Sequence, residues 1–328
     1  MRAPSLAADL AAEQRAFLGR DRAAWAGHLD RVRAFLGEGL QAADPRAPVL
    51  VLGAGSGLEV PWRLAPASAV GWDGDPWSRV RTLLRHWRWA PWVFQDLTGG
   101  MEPLAALAWR TERQPWSGLI RANRAAWCRL AGLMDSLDPR PDPLRAWIRE
   151  RRPGTILSAN VMGQFGMVAH RLVDRAFGGH QPWPGEPRRG GPPTREPYRG
   201  GPPVRESHLP DPEDPDPVDQ ALQGWTARAV RAFLGALLES GADLWLVHDR
   251  AVVFGDAPVD LGPMEAAWTA QLRAPGPVEA MDLLGGSDPT EAFAGRTLTR
   301  HERWLWLVAP GQNHVMEAIR VPSHPAHS

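Results

Sequence analysis

Apolar residues return along this chain in two rhythms, one near 3.6 residues and one of short unbroken runs. Over residues 5–40, Leu10, Phe17, Trp25, Leu29, Val32, Phe35 and Leu36 fall on one side of a helical period, which predicts helix. Val49–Leu52 is a four-residue apolar run ended by Gly53, the pattern of a buried strand. A second strand is read in "ASAVGWDGDPW", ending near Asp73. Asp75 and Pro76 then supply an N-cap and a first helical position, and Val80, Leu83, Leu84 and Trp87 an apolar stripe. "APWVFQDLTGG" reads as a third strand stopping at Asp96, and residues 101–150 as mostly helical, broken by "DPRPDPL". Thr155–Ser158 in "GTILSANVMGQFG" is a fourth strand. Trp225 to Leu238 is an amphipathic helix closed by Gly241, "DLWLVHD" is a fifth strand, and "RWLWLVAP" and "HVMEAIRV" predict a hairpin across "GQN".

Strands alternating with helices predict an α/β fold with a doubly wound, mostly parallel seven-stranded sheet and a C-terminal antiparallel hairpin. The expected organisation is an N-terminal helical segment, 1–45, and one α/β domain, 46–328. The domain carries a helical insertion at 100–150 and a Pro/Gly/Arg-rich loop over Gly179–Pro217. That loop repeats "EPRRGGPPTR" as "EPYRGGPPVR" and runs into the acidic "DPEDPDPVD"; it offers nothing to bury and is expected to be flexible. Two Arg-Gly-Gly triplets beside Tyr198 invite an RNA-binding reading, but a single aromatic and the adjoining acidic run argue against nucleic acid.

Composition narrows the chemistry. The 37 basic and 37 acidic residues balance to a formal net charge of zero, so no global field draws in nucleic acid or an anionic membrane. Every basic residue is arginine, which excludes a catalytic lysine. A lone Cys128 excludes an intramolecular disulfide and a multi-cysteine metal site; it fits a reducing compartment. With no signal-like N-terminus and no membrane-length apolar run, a cytoplasmic protein with no membrane partner and no metal is expected. Nothing in the pattern sets an oligomeric state.

The chemistry-bearing stretch is "PVLVLGAGSGLEVPW", an apolar strand broken by Gly53, Gly55 and Gly57 and expected to feed a helix. A dinucleotide fingerprint needs its third glycine at the position of Leu58, whereas here it is Gly57. The glycine spacing resembles the first motif of the Rossmann-like (class I) S-adenosylmethionine-dependent methyltransferases. "VGWDGDP" is similar to that family's second motif and "ILSANVMGQF" to its fourth, and the closing hairpin resembles the antiparallel strand that the family adds. The resemblance spans residues 45–98, 153–178 and 219–321.

It implies S-adenosylmethionine as cofactor, with Gly53, Gly55 and Gly57 against its methionyl and ribose part. Asp73 would take the ribose hydroxyls, Asp96 the adenine amino group, and Ser158 would end the strand lining the site. The family's acidic residue two positions before the first glycine is Val51 here, and Glu59 at the expected helix start is the substitute for it. The implied acceptor is a small molecule or a protein side chain. "SANVMGQ" lacks the Asn-Pro-Pro-aromatic signature of nucleobase amine methylation, and only Asp249 is available for a metal-assisted catechol-type reaction.

Strand-end position makes His248 the candidate general base and Asn160 and Gln164 the groups that orient the acceptor. A histidine bonding its own neighbourhood is the competing reading of His248; His170, within a predicted helix, reads as structural, and His314 lies by the late hairpin turn. Trp109, Trp116, Trp127 and Trp147 either cap an apolar acceptor or pack helices. Two other functions stay open: a non-catalytic binding or assembly protein on the same fold, and a nucleotide-dependent oxidoreductase, which Leu58 disfavours.

Overall fold

The structure is a computed structural model, and it describes residues 25–55, 57–112, 124–176, 216–254, 279–309 and 311–323. Helix α1 (Ala26–Ala42) leads into β1 (Val49–Leu52), β2 (Ala69–Trp72), α2 (Ser78–His86) and the two-residue β3 (Trp92–Val93). Three helices follow: α3 (Met101–Glu112), α4 (Arg124–Ser136) and α5 (Asp142–Arg151). Next come β4 (Thr155–Ala159), α6 (Met162–Ala176), α7 (Pro217–Leu238) and β5 (Asp243–Phe254). The chain closes with β6 (Glu279–Asp282), the single turn α8 (Pro289–Ala292), β7 (Arg300–Ala309) and β8 (Gln312–Val321).

The fold is α/β with a mixed sheet of eight strands in the order β3-β2-β1-β4-β5-β8-β7, β6 pairing β5 off that path. Strands β1 to β5 run parallel, while β8 is antiparallel to both β5 and β7. The chain steps outward from β1 to β3, then returns to place β4 on the other side of β1. The carboxyl end of β1 is therefore a switch point, where open α/β sheets form their crevice. β6 adds a strand that the apolar pattern does not signal, pairing the last residues of β5 from Ala251 to Phe254.

Alternation along the strands sorts side chains to two faces. Leu50, Leu52, Ile156, Leu244 and Leu246 face the larger core, with Trp225, Phe233 and Phe165 of α7 and α6. Val49, Val51, Leu157, Trp245 and Val247 face the smaller one, closed by Val32, Phe35 and Leu36 of α1. The 100–150 segment packs into the larger core. Trp127 Nε1 donates to the N-cap Asp216 of α7 at 2.7 Å, and Trp147 meets Trp72 edge-on at 6.3 Å. Trp127 ties α4 to the start of α7 and Trp147 packs α5 against β2; Trp116 and the Trp109 side chain lie outside the described residues. So do residues 1–24 and all of the Pro/Gly/Arg-rich loop except Asp216 and Pro217, where α7 already begins.

Four local expectations are corrected. The glycine turn does not feed an α-helix; it leads through a bend to one 3-10 turn, Trp62–Leu64. Pro66 forces Ala65 into extended backbone (ψ 136°), which stops a helix one turn after Pro61 starts it. The third strand ends at Val93 rather than Asp96, because Asp96 turns back to cap α3. The hairpin turns at Gly311 (φ 69°), not across "GQN", since Gln312 already pairs in β8. The apolar stripe of α2 faces outward, as described below.

Candidate functional site

At the switch point all three glycines take left-handed backbone, with φ of 66°, 48° and 69° at Gly53, Gly55 and Gly57. Gly53 needs its missing side chain for a second reason. A Cβ there would stand 2.3 Å from Val161 Cγ2 and 2.7 Å from the Ala159 carbonyl, so the turn lies directly against the end of β4. The Gly53 amide donates to the Trp72 carbonyl at 2.9 Å and the Gly55 amide to Asp73 Oδ2 at 2.6 Å. Asp73 Oδ1 accepts the Asp75 amide at 2.8 Å. The turn and the end of β2 are thus tied together through one half-buried carboxylate.

Burial pushes the Asp73 carboxyl up to about 6, against the pull of those two amides. Each oxygen has one backbone donor and keeps acceptor capacity for a hydroxyl. Behind the turn, His86 Nε2 donates to the Gly57 carbonyl at 2.7 Å, and burial holds this imidazole below its ordinary value.

Asp96 has a different occupation. Its Oδ1 accepts the Thr98 amide and hydroxyl, both at 2.8 Å, and its Oδ2 the amides of Met101 at 2.8 Å and Glu102 at 3.2 Å. Four donors fill a carboxylate's acceptor sites, so Asp96 anchors the start of α3 and has none left for an adenine amino group. Asp96→Ala is expected to cost about 1 kcal/mol, the usual worth of an N-terminal cap, measured as the urea midpoint shift.

Glu59 does not sit at a helix start; it faces α1, with Oε1 3.6 Å from His28 Nε2. Ser158 is wholly buried at the end of β4, and its hydroxyl finds no partner.

The expected reaction side is closed by internal pairing. Asn160, in left-handed backbone (φ 53°), receives the Asp249 amide at its Oδ1 (2.9 Å) and donates from Nδ2 to Asp249 Oδ2 (3.0 Å). Its own amide donates to the Val247 carbonyl at 2.7 Å, so Asn160 bolts β4 to β5. Burial raises the Asp249 carboxyl, but His314 at 3.4 Å and the Asn160 amide outweigh it and hold the group below its ordinary value.

His248 is 0 % exposed and sits opposite Glu317 across the β5–β8 pair, Nε2 2.9 Å from Glu317 Oε2. Glu317 Oε1 accepts from Arg303 Nε at 2.8 Å and lies 2.7 Å from His301 Nε2. His248 therefore has a neighbouring partner in place of an open face, the competing reading of that residue. Gln164, in the first turn of α6, stays half-buried.

Side chains not singled out from the sequence complete this region. His28 stacks on Trp306 with ring centroids 3.9 Å apart and planes at 6°, and accepts from Trp304 Nε1 at 3.2 Å. With Glu59 and His314 they form a polar layer between α1 and the β7–β8 hairpin. Glu317 carried a readable signal, a lone carboxylate inside the apolar "VMEAIRV"; His28 and Trp306 had none beyond their own periodicity. A shallow cavity of about 420 Å³ lies at the outer edge of this layer, lined by Gly27, His28, Arg31 and Arg303–Leu307. Among the described residues no group of three or more His, Cys, Asp or Glu could hold a metal ion, and no helix is long and apolar enough to cross a membrane.

The fold and this turn define an α/β protein with a glycine-built, carboxylate-tied turn at its switch point. No protein-family model, curated protein or solved structure matches the chain.

Proposed function

We propose that this chain binds S-adenosylmethionine at the Gly53–Gly57 turn and belongs with the class I methyltransferases in activity, acting on a small-molecule or protein acceptor. The observation that carries the reading is the Gly55–Asp73 hydrogen bond. It sets an ionisable carboxylate with spare acceptor capacity beside a left-handed glycine turn, at the carboxyl ends of neighbouring parallel strands. The placement of β4 beyond β1, and of an antiparallel strand between β5 and β7, also fits the seven-stranded arrangement that the resemblance implies. When bound, the cofactor supplies a methyl group on a sulfonium for in-line displacement. The chain's own part is to hold and align: Asp73 by accepting the ribose hydroxyls, the turn by close backbone approach. Asp96 takes no part in this reading, its acceptor sites being filled.

Calorimetry with S-adenosylmethionine, its demethylated product and NAD side by side tests it. Asp73→Ala is expected to weaken binding of the sulfur ligands by about 1.5–3 kcal/mol. The carboxylate is the better acceptor, so wild-type affinity is expected to fall as pH drops through about 6, the Asp73 value, and to level off above it. NAD binding tighter than either sulfur compound would overturn the reading.

A non-catalytic binding role on the same fold is the second reading. It is favoured by the internal pairing of His248 with Glu317 and of Asn160 with Asp249, which leaves neither His248, within β5, nor Asp249 as an open base beside the end of β4. Tight cofactor binding with His248→Ala neutral to turnover of any identified acceptor would remove His248 as base. Tight binding without turnover would favour the second reading.

A further inference from the structure

Helix α2 is turned inside out. Its inward side carries Ser78 and Thr82, both 0 % exposed, with Arg81 paired to the buried Asp75 and His86 bonded to Gly57. Its outward side carries Val80 and Leu84, the latter 68 % exposed, and the helix ends at Trp87, 83 % exposed. Gly57 explains the inner face: a Cβ there would stand 3.0 Å from Thr82 Oγ1, and so close an approach admits only small residues. The polar side is therefore spent on the glycine turn, and the apolar side is left outward.

Trp77 precedes Val80 on the same helical side and Trp89 follows just past the helix end, both exposed. No described residue covers that side. Isolated exposed apolar residues are ordinary; a helix side on which Trp77, Val80, Leu84 and Trp87 are all exposed, with Trp89 next to its end, marks an interaction site.

The charge around the surface selects the partner. From Pro76 to Gln95 the sequence holds four arginines and no acidic residue, and of the four Arg81 is spent inward on Asp75. Arg79 lies over the Trp89 ring at 3.5 Å, Arg88 stands between Trp87 and Trp89 in sequence, and Arg63 adjoins Leu64. A two-fold contact between copies would bring these arginines against each other, which opposes self-association. Nucleic acid could stack on the tryptophans but has no use for Leu84 and Val80. A bilayer with anionic headgroups takes all three features: aliphatic side chains into the acyl boundary, tryptophans at headgroup level, arginines against the phosphates.

We propose that the outward side of α2, Trp77, Val80, Leu84, Trp87 and the following Trp89, bordered by Arg63, Arg79 and Arg88, docks the protein on an anionic phospholipid membrane. The contact lies in the interface and spans nothing.

Co-sedimentation of the full chain with phosphatidylcholine vesicles, with and without phosphatidylserine, tests this. Binding is expected to the anionic vesicles only, to weaken with added salt, and to shift tryptophan emission to the blue. The double variant Leu84→Glu/Trp87→Glu is expected to lower the partition coefficient by more than about tenfold, the worth of burying two large apolar side chains. Its melting temperature should stay unchanged, because both residues are already exposed. Arg63→Glu/Arg88→Glu keeps the apolar side and is expected to lose the preference for phosphatidylserine. Absence of vesicle binding by the wild type overturns the proposal, as does undiminished binding by the Leu84/Trp87 variant. A dimer or an oligonucleotide complex that the Leu84/Trp87 variant disperses, with no vesicle binding, also overturns it and assigns the surface to that partner instead.

Discussion

Glu317→Ala is expected to cost the fold about 3–5 kcal/mol, the usual penalty for removing one partner of a buried charge cluster. The carboxylate is 1 % exposed and is the common acceptor for His248, Arg303 and His301. Its loss leaves Arg303 unpaired against the sheet and strands a fully buried imidazole. Urea unfolding at neutral pH measures the cost. A loss below about 1 kcal/mol would mean that water enters and solvates the freed groups. The pH dependence gives a second reading. Burial alone would raise the Glu317 carboxyl, but the His248 and His301 bonds and the Arg303 charge hold it well below its ordinary value of 4.5. A depressed carboxylate contributes stability that is complete above the unfolded-state value and is lost as pH falls toward the folded one. The wild type should therefore lose stability below about pH 4.5, and Glu317→Gln should be less stable at neutral pH with a flatter acid limb.

Gly53→Ala is expected to cost about 2–5 kcal/mol, and its control is already in the molecule. Gly53 and Gly241 share a φ of 66°, but a Cβ at Gly241 meets open space, whereas one at Gly53 meets Val161 and the Ala159 carbonyl. Gly241→Ala should show only the left-handed strain of about 1–2 kcal/mol. Gly53→Ala adds the overpacking of β1's turn against β4, about 1–3 kcal/mol more. The same crowding pushes the turn away from β4, so any ligand held through Gly55 and Asp73 should bind more weakly in Gly53→Ala and unchanged in Gly241→Ala. Equal destabilisation in the two variants would show that the contact at β4 relaxes freely.

What the sequence by itself determined is what short-range periodicity and backbone chemistry can carry. Val49–Leu52 is a strand with the predicted bounds, Thr155–Ser158 extends by one residue, and the C-terminal hairpin pairs as its alternation requires. The glycine turn and the ends of β1 and β2 also came from local pattern, because an apolar run ended by Gly-X-Gly-X-Gly has few conformations open to it.

The remaining features needed partners far along the chain. Asp73 and Asp96 are alike in sequence, each an acid after an apolar run. Asp73 meets two backbone amides and keeps acceptor capacity, whereas Asp96 meets four donors and becomes an anchor. His248 read as a strand-end histidine, but β5 runs on to Phe254 and β8 places Glu317 beside His248, 69 residues on. The stripe of α2 is periodic as a buried face should be, yet it faces outward. A 3.6-residue period states that a helix has an apolar side; which side meets the protein depends on what else is packed there. For α2 that was decided by the close approach to Gly57, the Asp75–Arg81 pair and the His86 bond, interactions that claim the polar side and that no local pattern encodes.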